Sequence, residues 1–219
     1  RVLFRSNTLL RQPRIDRQQL TLWDERLAAA GEAVTRYRRD YAREIHPIIE
    51  RVLSEITPDL GELRLGFHPG WDAERSLAEA LGAHREKDIM QGSTQVGPHR
   101  ADLRVRLDRR VAAEALSRGQ TKMLVIAMLM AQGIHYQERC GNACVSLLDD
   151  LPAELDPEHR RRVARLVSST GQAFVTGTDA SLLLAAWADS PAELKLFHVE
   201  QGRLADRSSP DSPPYRESL

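Results

Sequence analysis

Apolar residues recur along the first quarter of the chain at steps of three and four. Leu20, Trp23, Leu27, Ala30, Val34, Tyr37, Tyr41, Ile45, Ile48 and Val52 carry the stripe, with Arg, Glu and Asp at most positions between. That period predicts one long helix over 16–56, with Pro47 expected to kink it and Pro58 to end it. No second stripe of equal length occurs, so the helix either packs on a composite of shorter elements or protrudes as an arm. Alternation in ELRLGFH predicts a strand over 62–68 that stops at Pro69-Gly70, followed by a helix over 72–85 and a polar loop over 86–94.

Beyond that loop the texture changes. Leu103, Val105 and Leu107 alternate with Asp102, Arg104 and Arg106, which predicts a half-exposed strand over 101–107 turned by Asp108-Arg109-Arg110. A helix over 121–132 is apolar around most of its circumference and is expected to be buried. The stretch 144–156, CVSLLDDLPAELD, reads as a strand buried on both faces that ejects carboxylates at its C-terminal end, where open α/β sheets place ligands. Asp156 is suited to cap a helix over 158–169, with Pro157 in its first turn. A short buried strand over 174–176, a helix over 179–187 and a last strand over 194–199 complete the pattern, and Ser, Pro and charge from Arg207 onward predict a disordered tail. The expected division is 1–92, 93–204 and a tail over 205–219.

Charge changes this picture only locally. The 219 residues carry 31 basic and 31 acidic side chains, so no global field recruits nucleic acid or membrane. Residues 1–51, however, hold eleven arginines and no lysine against seven acids, which makes that segment the candidate for a DNA contact. Cys140 and Cys144 are too few to supply a zinc site, and with no secretion signal they imply a reducing cytoplasm. No apolar run approaches the roughly 20 residues needed to cross a bilayer. There is no initiating Met, which suggests a fragment.

Candidate chemistry lies in two places. Leu116-Ser117-Arg118-Gly119-Gln120 puts a hydroxyl, backbone N–H groups and a guanidinium at a helix start, which suits phosphate, although Ser and Gly also serve purely as caps there. Asp149 and Asp150 close the central strand and either begin a plain loop or form a site.

Four segments in order carry a resemblance: Gly97-Pro98-His99-Arg100-Ala101-Asp102-Leu103, the Leu116 to Gln120 run, Leu147-Leu148-Asp149-Asp150 with Glu154-Leu155-Asp156, and Phe197-His198-Val199-Glu200-Gln201-Gly202. Together they resemble the C-terminal part of the RecF family, recombination-repair relatives of the SMC proteins. The resemblance implies an α/β fold: part of an ABC-type ATPase head, a P-loop NTPase-like sheet flanked by helices, over 93–204, with a largely helical arm over 1–92. It further implies that Asp149 holds Mg²⁺ at the end of a Walker B strand and that Asp150 polarises the attacking water, as a shorter and slower base than the usual Glu. Ser117, Arg118, Gly119 and Gln120 match the signature motif that reaches ATP across a dimer, and Asp156 matches the D-loop at that interface.

Two departures stand out. Arg118 replaces the Gly of general ABC proteins, in keeping with the RecF-like pattern. Gly177 stands where many relatives supply a His to the γ-phosphate, leaving Thr176 or Thr178 as stand-ins, while His99 and Arg100 fit a family motif either as sensors at the γ-phosphate or interface or as structural residues. No G-x-x-x-x-G-K-[ST] occurs, so the chain alone is expected to hydrolyse little or no ATP and the whole protein to be a weak ATPase. The resemblance implies a protein of DNA repair and replication restart that binds gapped DNA at single- and double-stranded junctions. It also implies homodimerisation on ATP and action with RecR, and through RecO and RecR with RecA loading. Arg36, Arg38, Arg39 and Arg43 are the candidate DNA contacts, unless they form a solvated helix face. The rival reading is an SMC-like structural module without meaningful turnover.

Overall fold

The computed structural model describes residues 2–108 and 110–206, and the chain separates into two compact units, Arg1–Cys144 and Val145–Leu219. The first is built on helix α2, Arg17–Ile56, which Asp16 caps by accepting from the N–H groups of Gln18 and Gln19. Pro47 stays inside this helix without ending it, and Thr57 closes it. Its partner is the composite of shorter elements: α1 (Val2–Leu10), strand β1 (Leu63–His68), α3 (Leu77–Gln91) and α5 (Arg118–Cys140) all pack along it. Near its start, Leu27 and Ala28 close a core with Trp71, Leu77, Ala80, Leu81 and Val96.

The buried face of α2 is not the whole of the predicted stripe. Its two ends, including Leu20, Leu27, Ile45, Ile48 and Val52, are buried as expected, but between them burial passes to Ala28, Gly31, Thr35 and Ala42, leaving Ala30, Val34, Tyr37 and Tyr41 exposed. A straight α-helix drifts by about 20° per heptad against a 3.5-residue repeat, so a heptad seam walks off a partner surface that does not supercoil. Gly31 marks the point of closest approach: a Cβ there would lie 2.5 Å from Leu77 Cδ2.

Strand β1 pairs antiparallel with β2 (Asp102–Leu107), and β2 with β3 (Arg110–Val111), so the expected boundary near residue 92 falls between strands of one sheet. Helix α3 begins later than expected because Ser76 and Glu79 form a reciprocal capping box. It runs through most of the predicted loop, up to the left-handed Gly92. After a short helix α4 (Ala112–Ala115), α5 also runs further than its apolar core, to Cys140, and Gly141 ends it. Met123, Leu124, Ala127 and Ala131 are buried, but Val125 and Leu129 are exposed, so α5 is covered on one face rather than all round.

In the second unit β4 (Ser146–Leu148) pairs in parallel with β5 (Ala173–Val175). Neither is buried on both faces: the register partners Leu147 and Phe174 are 79% and 53% exposed, so the face of the two-stranded ribbon that they share is open. Helices α6 (Leu151–Glu154), α7 (Pro157–Thr170) and α8 (Ala180–Ala186) pack on one another, with Val163, Ala164 and Val167 fully enclosed. The expected last strand is the first arm of a hairpin, β6 (Phe197–Glu200) with β7 (Arg203–Asp206), turned by Gln201-Gly202. The tail expected over 205–219 thus begins inside β7, and 207–219 lie outside the described residues.

Candidate functional site

The acidic tip of β4 is assembled by β5. Thr176 N–H donates to Leu148 O at 2.9 Å and extends the parallel ladder by one step. This brings the Thr176 hydroxyl between the two acids, where it donates to the Asp149 carboxylate and accepts from the Asp150 N–H at 2.9 Å. Asp150 itself sits at φ 47°, ψ 40°, a left-handed conformation that Asp tolerates better than most residues, and α6 starts directly behind it. The chain therefore turns sharply at Asp150.

Gly177 follows from the same turn. A Cβ at that position would come within 2.9 Å of the Pro152 ring and 3.3 Å of Leu183, so α6 and α8 crowd any side chain there. Thr178 is exposed, and Asp179 caps α8 through the N–H groups of Ser181 and Leu182, which with the Ser181 hydroxyl hold its carboxyl below the usual range. Asp149 is exposed and has a hydroxyl beside it, and no group of three or more His, Cys, Asp or Glu ligands occurs among the described residues. That donor set fits Mg²⁺, a hard cation that keeps several waters and binds through one or two carboxylates plus phosphate oxygens.

The Leu116 to Gln120 run is a helix cap. Ser117 Oγ accepts from Gln120 N–H at 3.3 Å, and Gln120 Oε1 accepts from Ser117 N–H at 3.0 Å. This use leaves the Ser117 hydroxyl proton and the Gln120 NH₂ as donors, so cap and phosphate chemistry are compatible. Arg118 and Gly119 are exposed, and a Cβ on Gly119 would meet nothing within 4 Å. Asp156 caps α7 as its sequence position predicts, accepting from the N–H groups of Glu158 and His159 at 3.0 Å and meeting the His159 ring. The His159 N–H, and next its ring, hold the Asp156 carboxyl below the ordinary carboxylate range.

The turn Pro98–Arg100 hangs from three helices. Thr94 donates to Asn7 on α1, Gln95 N–H donates to the buried Asp88 of α3, and Arg38 of α2 donates to Pro98 O at 2.7 Å. Gly97 N–H donates to Gly70 O at 3.1 Å, a crossing so close that a Cβ on Gly70 would lie 2.1 Å from Gly97 O. His99 bonds to Thr94 O at 3.0 Å, and Arg100 is exposed. Asn7 was not legible in the sequence, because nothing local marks a loop anchor supplied from 87 residues away, and Asp88, seven residues before Gln95, looks like any other charge of its helix.

Arg38 thus stands apart from the other candidate arginines. Arg36, Arg39 and Arg43 share one helical face by their i, i+3, i+7 spacing, whereas Arg38 points to the turn. Arg36 lies over the Tyr37 ring at 5.9 Å, Arg43 meets Asp40 at 3.5 Å, and Arg39 makes no ion pair among the described residues. No helix among the described residues is long and apolar enough to cross a membrane.

The model of the RecF/RecN/SMC N-terminal domain matches residues 6–203. The DNA replication and repair protein RecF of Azotobacter vinelandii is 46% identical over 200 residues, covering 90% of this chain and 54% of its own length. The protein of the same name from Pseudomonas fluorescens is 41% identical over 205 residues, covering 93% and 55%. Among solved structures, the recombination mediator protein RecF-ATPrS of the RecFOR pathway superposes with a TM-score of 0.77 at 20% identity, covering 94% of this chain and 56% of that one. The RecF-ATP structure gives 0.76 at 21%. The chain spans about half the length of the curated relatives it matches.

Proposed function

Since the chain belongs to the RecF/RecN/SMC N-terminal domain family and is of RecF type, we propose that it forms the arm and the second half of the ATPase head of a cytoplasmic, ATP-dependent DNA-binding protein. The observation that carries this reading is the tip of β4. One hydroxyl, Thr176, holds the Asp149 carboxylate and the backbone N–H of Asp150 at the point where the chain turns, which keeps two adjacent acids at the strand tip. Asp149 would hold Mg²⁺, whose charge offsets that of the phosphates, and Asp150 would accept a proton from the attacking water. Thr176, expected as a γ-phosphate stand-in, serves better as the residue that orients the Asp149 carboxylate and fixes the turn at Asp150. Ser117, Arg118, Gly119 and Gln120 present an uncovered helix start to the nucleotide of a second subunit, with Asp156 at the same interface. Arg100 and His99 stand on an anchored turn suited to sensing that interface.

On this reading ATP joins two subunits on gapped DNA, at its single- to double-stranded junctions, and hydrolysis releases them. The relatives' placement in DNA repair and the RecFOR pathway supports RecR and RecO as partners and RecA loading as the outcome. The test uses the full-length protein. Asp150→Asn is expected to keep ATP binding, slow hydrolysis by about 10²-fold or more, and prolong the dimer in sizing experiments. Ser117→Arg is expected to bind ATP but remain monomeric. Hydrolysis at the parental rate in Asp150→Asn removes Asp150 from its role, and an ATP-induced dimer in Ser117→Arg removes the signature from the interface.

A further inference from the structure

The corner between α1 and α2 carries a cluster that the nucleotide site does not use. Arg5 on α1 and Arg26 on α2 each place a guanidinium 5.1 Å from the centroid of the half-buried Trp23 indole. Both arginines are exposed, and neither makes an ion pair among the described residues. The neighbouring Asp24 is already taken, by Arg85 at 3.0 Å, and Glu25 lies about 100° round the helix from Arg26. Two positive charges are therefore held by ring quadrupole attraction, with their N–H forks left for an outside acceptor.

Apolar side chains adjoining these residues in the chain are exposed. Phe4 is 76% exposed, because α1 turns Ser6, Leu9 and Leu10 inward and its other face outward. Leu22, also exposed, lies one helical turn before Arg26. A duplex offers phosphates to guanidinium groups but keeps its bases stacked away. An unpaired strand offers both phosphates and bare base faces, which matches arginines interleaved with an exposed aromatic ring. Arg26 precedes Arg36 by ten residues, about 15 Å along α2 and about 80° round it, so this corner is a surface separate from the arginine face of the arm.

We infer that the Phe4, Arg5, Trp23 and Arg26 corner binds the single-stranded side of gapped DNA, with the two arginines on phosphates and Phe4 against a base. This rests on the DNA-binding reading above and adds to it a surface and a strand. Trp23 is a positioning residue that holds both guanidinium groups in place.

Binding of the full-length protein with ATP to a fluorescent oligodeoxythymidylate and to a duplex of the same length, measured across a salt series, tests it. Arg5→Gln with Arg26→Gln is expected to reduce the slope of log K against log salt by about 1.4 for the single strand and to leave the duplex slope unchanged. Phe4→Ala, at a site too exposed to matter for folding, is expected to weaken single-strand binding by roughly 5- to 150-fold with no change in slope. An unchanged single-strand affinity in Phe4→Ala together with an unchanged slope in the double variant overturns the inference, as does an equal loss of duplex binding. Displacement of the oligonucleotide by polyglutamate of equal charge overturns it in favour of an acidic protein segment. If the unaltered full-length protein with ATP binds neither probe at low salt, it is the DNA-binding reading that fails.

Discussion

Thr176, Asp150 and Asp156 show what single residues decide here. Asp156 was legible twice in the sequence, as a cap before Pro157 and, by resemblance, as an interface residue, and the geometry shows how the first use is met. Its carboxyl is held below the ordinary range chiefly by the N–H of His159, so its folded pKa is lower than its unfolded one of about 3.9. The stability it contributes is complete above about pH 4 and is lost as pH falls through the lowered value. Asp156→Ala is expected to cost about 1 kcal/mol at pH 7, and the gap in melting temperature between variant and parent should narrow once the pH drops below about 4. A gap that persists unchanged into stronger acid would show that the carboxylate charge contributes nothing to the cap. The role of Thr176 was not legible in this form, since a hydroxyl that joins residues 27 and 26 positions away leaves no local trace.

Helix α2 shows how far an element can be read from its period. Its existence, start and end follow from the apolar recurrence, the Asp16 cap and Pro58. Its inward face does not, because a period counted in heptads and a real helix of 3.6 residues per turn diverge along 40 residues. The consequence is measurable. Ile49, which the heptad stripe omits, is 1% exposed, and Tyr37, which the stripe includes, is 69% exposed. Ile49→Ala is expected to cost roughly 2–5 kcal/mol in denaturant unfolding, and Tyr37→Ala to stay within about 0.5 kcal/mol. The reverse order would restore the heptad seam as the core. Helix α3 repeats the lesson from the other side: its capping box is written in Ser76 and Glu79, but the stronger cue of Trp71-Asp72 after Pro-Gly draws the predicted start forward.

At the scale of the molecule, charge separates into faces that the net value of zero conceals. Arg36, Arg39 and Arg43 face one way, and Arg38 ties α2 to the turn that carries His99 and Arg100. In salt-dependent duplex binding, Arg39→Gln with Arg43→Gln should lower the slope by about 1.8, whereas Arg38→Gln should leave it unchanged. Equal effects of all three would place Arg38 on the DNA face. The α/β class, the order of the motifs, the helix caps and the acids at a strand tip were all determined by sequence, because each depends on residues within a few positions of one another. Which side of α2 is buried, what crowds Gly177, what holds Asp149 and the turn at Asp150, and what suspends the Pro98 turn were decided only by tertiary structure. Each depends on a neighbour brought in from far along the chain, and packing, unlike periodicity, is set by whichever surface arrives.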